Sequence, residues 1–241
     1  MTALVWCWRE RLRDRRQAGP SGASAAPRVG GAVNGDNLGP LEVSRKSGDE
    51  QFSVNERLAG FDLLEFWRWS ASDLVDNTAR GILAEFLVAK ALGINTQRPR
   101  VSWAVWDLDW EMMPGLTLAI EVKSSAYVQC WGQKTLSTVQ FVVPPRRAFD
   151  AENNVLDDVA ARHAHVYVFA LLAHRDKRTI DPMRLEQWQF YCLATKRLDE
   201  RTRSQHSITL PSLEALTGPA VEFEALPDAV RRAGCEQLGL P

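Results

Sequence analysis

The sequence predicts a single α/β domain with a mixed central β-sheet flanked by helices, preceded by a flexible tail. Three observations carry this expectation. Leu74 to Leu92 has helical spacing and length, two strand-like runs meet near Gly115, and His165 to Ala173 is almost continuously apolar. A run of that last kind fills the centre of a sheet covered on both sides. Helix and strand patterns alternate along one chain of 241 residues, which is long enough to bury its own core.

Residues 1–50 differ in composition from the rest. Arg9, Arg11, Arg13, Arg15 and Arg16 lead into Gly19-Pro20-Ser21-Gly22 and on to Gly39-Pro40. So little apolar area cannot offset the entropy of ordering the chain, and this segment is expected to be a disordered tail. The folded domain then occupies residues 51–241 and starts between 51 and 62. Ser72-Asp73 offers an N-cap for the helix, and Gly93 ends it. Val75, Ile82, Phe86 and Ala89 form its apolar stripe, with Glu85 inside that stripe. A carboxylate facing inward needs a partner, because an unpaired buried charge costs several kcal/mol.

A strand is expected from Val101 to Asp107, a turn at Gly115, and a second strand from about Leu116 to Ser125. Phe141-Val142-Val143 stops at Pro144, and Trp188 to Leu193 reads as a neighbour of the 165–173 strand. Two short helices follow near Pro211–Leu216 and Pro227–Arg232.

The bulk numbers exclude several classes. The net charge is −1, so no global field draws the protein to polyanions, and a nucleic-acid site needs local cations. Cys7, Cys130, Cys192 and Cys235 show neither zinc spacing nor a C-x-x-C pair, and read as reduced thiols. No stretch reaches the roughly 18 to 20 apolar residues of a membrane helix. The order of apolar residues and arginines at the start is wrong for a secretory signal, so a cytoplasmic protein is expected. There is no P-loop, G-x-G-x-x-G or G-x-S-x-G motif.

The most informative phrase is Ile120-Glu121-Val122-Lys123-Ser124-Ser125. On a strand, Glu121 and Lys123 project from the same face, two positions apart. A hairpin of the two expected strands brings Asp107 to Glu121, and a helix packed over the sheet adds Glu85. These carboxylates are expected to converge on one pocket. Three carboxylates repel and raise one another's pKa, and a hard divalent cation reverses that. Lys123 then lowers the remaining charge and stands ready to orient or deprotonate a water, the equipment for in-line hydrolysis of a phosphodiester.

The ordered set Arg80-Gly81-Ile82-Leu83-Ala84-Glu85, Trp106-Asp107 and Ile120-Glu121-Val122-Lys123 resembles the PD-(D/E)xK nuclease superfamily, the restriction-endonuclease-like fold. Ala126-Tyr127, Gln129 and Trp131-Gly132-Gln133 are similar to a bacterial branch of it. The resemblance spans roughly residues 72–195. It implies a Mg²⁺-dependent endonuclease acting on DNA, with Mn²⁺ as a substitute, RNA as a less favoured substrate, and a possible homodimer. It implies Asp107 and Glu121 as metal ligands, Glu85 holding a metal or its water shell, and Lys123 handling the nucleophilic water. Trp106 stands where the motif has proline, and Asp109 competes with Asp107 for the ligand role.

Other residues carry two readings each. Gln129 and Gln133 fit a phosphate contact or a plain loop role. Trp103, Trp106, Trp110 and Trp131 fit core packing or base stacking. His163 and His165 read as satisfied structural histidines. Arg146-Arg147, Arg175 with Lys177-Arg178, and Lys196-Arg197 fit a solvated face or the flanks of a DNA groove. The alternative to the enzyme is a non-catalytic module that keeps the nuclease fold to bind nucleic acid or protein, its charges serving as structural ion pairs.

Overall fold

The computed structural model describes residues 41–151 and 153–241. Most of the expected tail, with its arginines and Cys7, lies outside the described residues. In chain order come the hairpin β1 (Gln51–Val54) and β2 (Arg57–Asp62), then helices α1 (Leu63–Ala71) and α2 (Asn77–Ala91). Strands β3 (Leu108–Met113), β4 (Leu116–Ala126), β5 (Gln140–Val142), β6 (Phe149–Asp150), β7 (Val155–Leu156), β8 (Val166–Leu172) and β9 (Trp188–Ala194) follow. The chain closes with α3 (Thr195–Asp199), β10 (Ser207–Thr209), α4 (Leu210–Thr217) and α5 (Leu226–Leu238).

The central sheet is mixed and four-stranded, in the order β3-β4-β8-β9. β3 and β4 form an antiparallel hairpin around Gly115, which takes φ +79° as a tight turn requires. β4 and β8 are parallel, and β9 returns antiparallel to β8. Every residue of β8 is buried, as its apolar run demands. One face of the sheet packs against α2 and α5 through Ala84, Leu87, Val88, Leu226 and Val230, meeting Ile120, Val122, Val166 and Val168. The opposite face buries Tyr167, Phe169, Tyr191 and Leu193 with Phe141, Leu198, Ile208 and Leu213. The expected α/β domain with a mixed sheet flanked by helices is the fold observed.

Several expectations about elements need correction. The helix begins at Asn77, not Leu74, because Asp76 is its N-cap and accepts from the N–H groups of Thr78 and Ala79. Asp73 instead closes a local turn, accepting from Val75 and Asp76. The buried stripe is Arg80, Ala84, Leu87, Val88 and Ala89, while Ile82 and Phe86 are half exposed. Glu85 therefore flanks the buried face and does not lie in its centre.

Residues 101–107 form a loop and not a strand. Val101, Trp103 and Val105 alternate like a strand, yet Val101 and Trp103 face solvent. The strand starts at Leu108, where Trp110 and Met112 supply the buried alternate positions. Asp107 thus precedes a strand and does not end one. The last helix is longer than expected, and β1, β2 and α1 carry no signal that was read from the sequence.

Candidate functional site

The site is assembled along the middle of β4. Ile120 and Val122 face α2, so Glu121 and Lys123 project to the other face. There they lie in register with Tyr167 and Phe169 of β8. Lys123 Nζ donates to Glu121 Oε1, and both side chains are largely buried. The neighbouring charges of the motif are therefore an ion pair shielded from solvent.

β3 begins opposite Ile120, so β4 beyond that point has an open edge on the β3 side. Asp107 closes it. Its backbone N–H donates to the Ile120 carbonyl at 3.1 Å, and its carboxylate accepts the Val122 N–H at 2.7 Å. The carboxylate occupies the place on the ladder that the carbonyl of an earlier β3 residue would take. Asp107 thereby sits at the sheet edge, between the face that carries α2 and the face that carries Glu121.

Glu85 approaches from α2. Both its carboxylate oxygens accept from Arg100, with Arg100 Nη2 to Oε1 at 2.8 Å. The charges of Glu121 and Glu85 reach Asp107 from opposite sides. Burial first, then Glu121 and Glu85, push the Asp107 carboxyl up to about 7, against the lowering effect of the Val122 N–H and of Lys123. Of three carboxylates, Glu85 and Glu121 each have a cation in contact, whereas Asp107 has a backbone N–H.

Of the three, Glu121 alone lines the pocket on its face of the sheet. This shallow pocket is lined by Glu121 and Lys123 together with Arg146, His163 and Tyr167, and Asp107 and Glu85 are not among its lining residues. Among the described residues no group of three His, Cys, Asp or Glu side chains stands ready to close around a metal ion. The donor set nevertheless fits a hard divalent cation in its chemistry: carboxylate oxygens, partly buried, with Asp107 destabilised as an anion by its neighbours. The fit is one of charge and donor type, and coordination requires Glu121 or Glu85 to leave its present cation.

Asp109, the competitor, is exposed and accepts from the Trp106 indole at 2.8 Å. Arg80, quoted in the motif but given no role, is buried and ties α2 to β4. It donates to Ser124 Oγ at 3.1 Å, to the Val75 carbonyl at 2.9 Å and to Asn77 Oδ1 at 2.7 Å. Gln133 clamps the loop after β4 through Gln129 N–H, the Tyr127 carbonyl and Ser137. Gln129 is buried and donates to the Ala126 carbonyl, and its side-chain oxygen has no partner among the described residues.

His163 Nε2 donates to the Arg146 carbonyl at 2.9 Å, and His165 Nδ1 accepts the Ala119 N–H at 2.9 Å, so both rings hold backbone. Trp110 is core, under the Arg231 guanidinium, whereas Trp103 and Trp131 are exposed. Sequence reasoning missed Arg100 and Tyr167, which touch the acids only through the fold. Arg146 was noted only as half of a basic pair. No protein-family model, curated protein or solved structure matches the chain.

Proposed function

We propose that this chain is a divalent-metal-dependent endonuclease that hydrolyses phosphodiester bonds of DNA. The observation that carries the reading is Asp107: a largely buried carboxylate fixed to β4, raised to about 7 by burial and by Glu121 and Glu85. A fold that gathers acids around an uncompensated carboxylate is unfavourable by itself, and functional sites are where such arrangements concentrate. Asp107 and Glu121 would hold Mg²⁺, or Mn²⁺ in its place, with Glu85 bound to the ion or its water shell. When bound, the ion supplies a water nucleophile at neutral pH and neutralises charge developing at phosphorus.

The chain's own groups then do the positioning. The Asp107–Val122 hydrogen bond holds one donor in line with the strand, and Arg100 restrains Glu85. Lys123, paired with Glu121, is a cation with further N–H donors. It orients a water or stabilises negative charge on a phosphoryl oxygen. No helix among the described residues is long and apolar enough to cross a membrane. A cytoplasmic setting, and a homodimer presenting one site to each strand of a duplex, belong to the same proposal.

A second reading is favoured by one observation: Glu85 and Glu121 are already neutralised by Arg100 and Lys123. A binding module that uses these as structural ion pairs would look the same. Incubating plasmid, linear duplex and single-stranded DNA with the protein in Mg²⁺ and in EDTA separates the two. Cleavage confined to Mg²⁺ supports the enzyme. No cleavage of any substrate, with no rise in melting temperature on adding the metal, supports the module.

A further inference from the structure

The pocket beside the Glu121–Lys123 pair contains groups that the metal chemistry does not use. Tyr167 is the in-register neighbour of Glu121 across the parallel β4–β8 pair, so the two side chains stand side by side on one face. It is buried, lines the pocket, and its hydroxyl makes no hydrogen bond among the described residues. Its phenol can donate a hydrogen bond into the pocket.

Arg146 faces the same pocket from the loop after β5. Its backbone is fixed on both sides, with its N–H donating to the Ala161 carbonyl at 2.9 Å and its own carbonyl accepting the Ala161 N–H at 3.0 Å. That carbonyl also accepts His163 Nε2. Three bonds thus hold the Arg146 backbone, while its guanidinium makes no ion pair or hydrogen bond among the described residues. Lys123 and Glu121 cancel within the pocket, which leaves Arg146 as its uncompensated charge. The pocket is therefore cationic and rich in donors.

We infer that Arg146 and Tyr167 form a seat for a backbone phosphate of the nucleic-acid substrate, gripping its non-bridging oxygens beside Lys123. The planar guanidinium fork matches two phosphate oxygens, and the phenol adds a third donor. This inference rests on the nuclease reading and names the residues that dock its substrate. Tyr167 and Arg146 act by binding, and no proton or bond changes hands at either.

The test measures duplex binding by fluorescence anisotropy in Ca²⁺, over a range of salt concentrations, beside cleavage in Mg²⁺. The proteins are wild type, Arg146→Ala, Arg146→Lys, Tyr167→Phe and, as a control on the exposed neighbour, Arg147→Ala. Arg146→Ala is expected to weaken binding about tenfold and to lower the salt slope by about 1. Arg146→Lys should recover part of the affinity, since the charge returns without the fork. Tyr167→Phe should weaken binding about fivefold with the melting temperature unchanged, and Arg147→Ala should match wild type. Wild-type binding by both Arg146→Ala and Tyr167→Phe would overturn the seat, and cleavage by wild type in that case would leave the nuclease reading standing. Weakened binding in both variants without cleavage by wild type would support the seat and remove the nuclease reading. Displacement of the duplex by inorganic phosphate at the duplex's own dissociation constant would identify a monoester site and overturn the assignment to the nucleic-acid backbone.

Discussion

Asp107 grips β4 on both sides of Glu121. Its N–H donates to the Ile120 carbonyl and its carboxylate accepts the Val122 N–H at 2.7 Å, so the residue between them is held next to a second acid by the strand itself. The Asp107 carboxylate cannot move away from the strand without giving up its bond to Val122. The arrangement is electrostatically unfavourable, and a bound cation would relieve it.

The stability of the metal-free protein should depend on pH through Asp107. Its carboxyl is pushed up to about 7, against about 3.9 in an unfolded chain. The folded state therefore keeps a proton that the unfolded chain has already lost. This contribution favours folding below about pH 4 and is lost as the pH rises through 7, with a size on the order of a few kcal/mol. Asp107→Asn keeps an acceptor for the Val122 N–H and removes the charge. Without metal it should melt higher than wild type at pH 8.5, and the gap should narrow at pH 5. Equal gaps at the two pH values would remove Asp107 as the source.

Divalent metal should stabilise the wild type and not its acid variants. At a hundredfold excess over the dissociation constant, Mg²⁺ or Mn²⁺ should add about 2.7 kcal/mol. Differential scanning calorimetry of wild type, Asp107→Asn and Glu121→Gln reads this directly. An equal rise in all three would assign the metal to another part of the chain.

How much of this was legible beforehand depended on what set each residue's environment. β4 and β8 were readable because their patterns are local: alternation after the Gly115 turn, and an unbroken apolar run. The neighbouring placement of Asp107 and Glu121 also emerged, although by a different route. The loop 101–107 alternates apolar residues that face solvent, so it imitated a strand, and Asp107 turned out to lead into β3. The stripe of α2 was misplaced because it is built on small Ala84 and on the stem of Arg80, neither of which stands out in an apolar period. Arg100 and Tyr167 were unreadable as site residues, and Arg146 was legible only as half of a basic pair fitting a solvated face or the flank of a DNA groove. Their neighbours come from segments far off in sequence, and only the fold brings them together.

Arg80 should be a stability residue whose loss disturbs the site. Its three hydrogen bonds join the start of α2 to Ser124, on the same strand as Glu121 and Lys123. Arg80→Met leaves those acceptors unsatisfied and should cost about 2–4 kcal/mol. Arg80→Lys restores the charge and not the fork, so it should recover less than half. Urea denaturation gives both numbers, and a loss below about 0.5 kcal/mol for Arg80→Met would contradict the role.

Gly234 of α5 packs directly on Leu118 of β4. A Cβ there would lie 2.4 Å from Leu118 Cδ1, and Leu118 is fully buried under the helix. Gly234→Val should therefore destabilise the fold by about 1–3 kcal/mol through overpacking. In a Leu118→Ala background the same change should cost less, which a double-mutant cycle by urea denaturation would detect. Additive effects would mean that the contact is not made.

On the proposed reading, the acids around β4 hold a cation that, with Lys123, promotes cleavage of a phosphodiester. The most direct measurement is single-turnover cleavage of a labelled DNA duplex in Mg²⁺ by wild type, Glu121→Ala and Lys123→Ala. The expected result is cleavage by wild type that EDTA abolishes, with each variant slowed at least about a hundredfold while still folded. Cleavage that survives both substitutions, or that proceeds equally in EDTA, would contradict it.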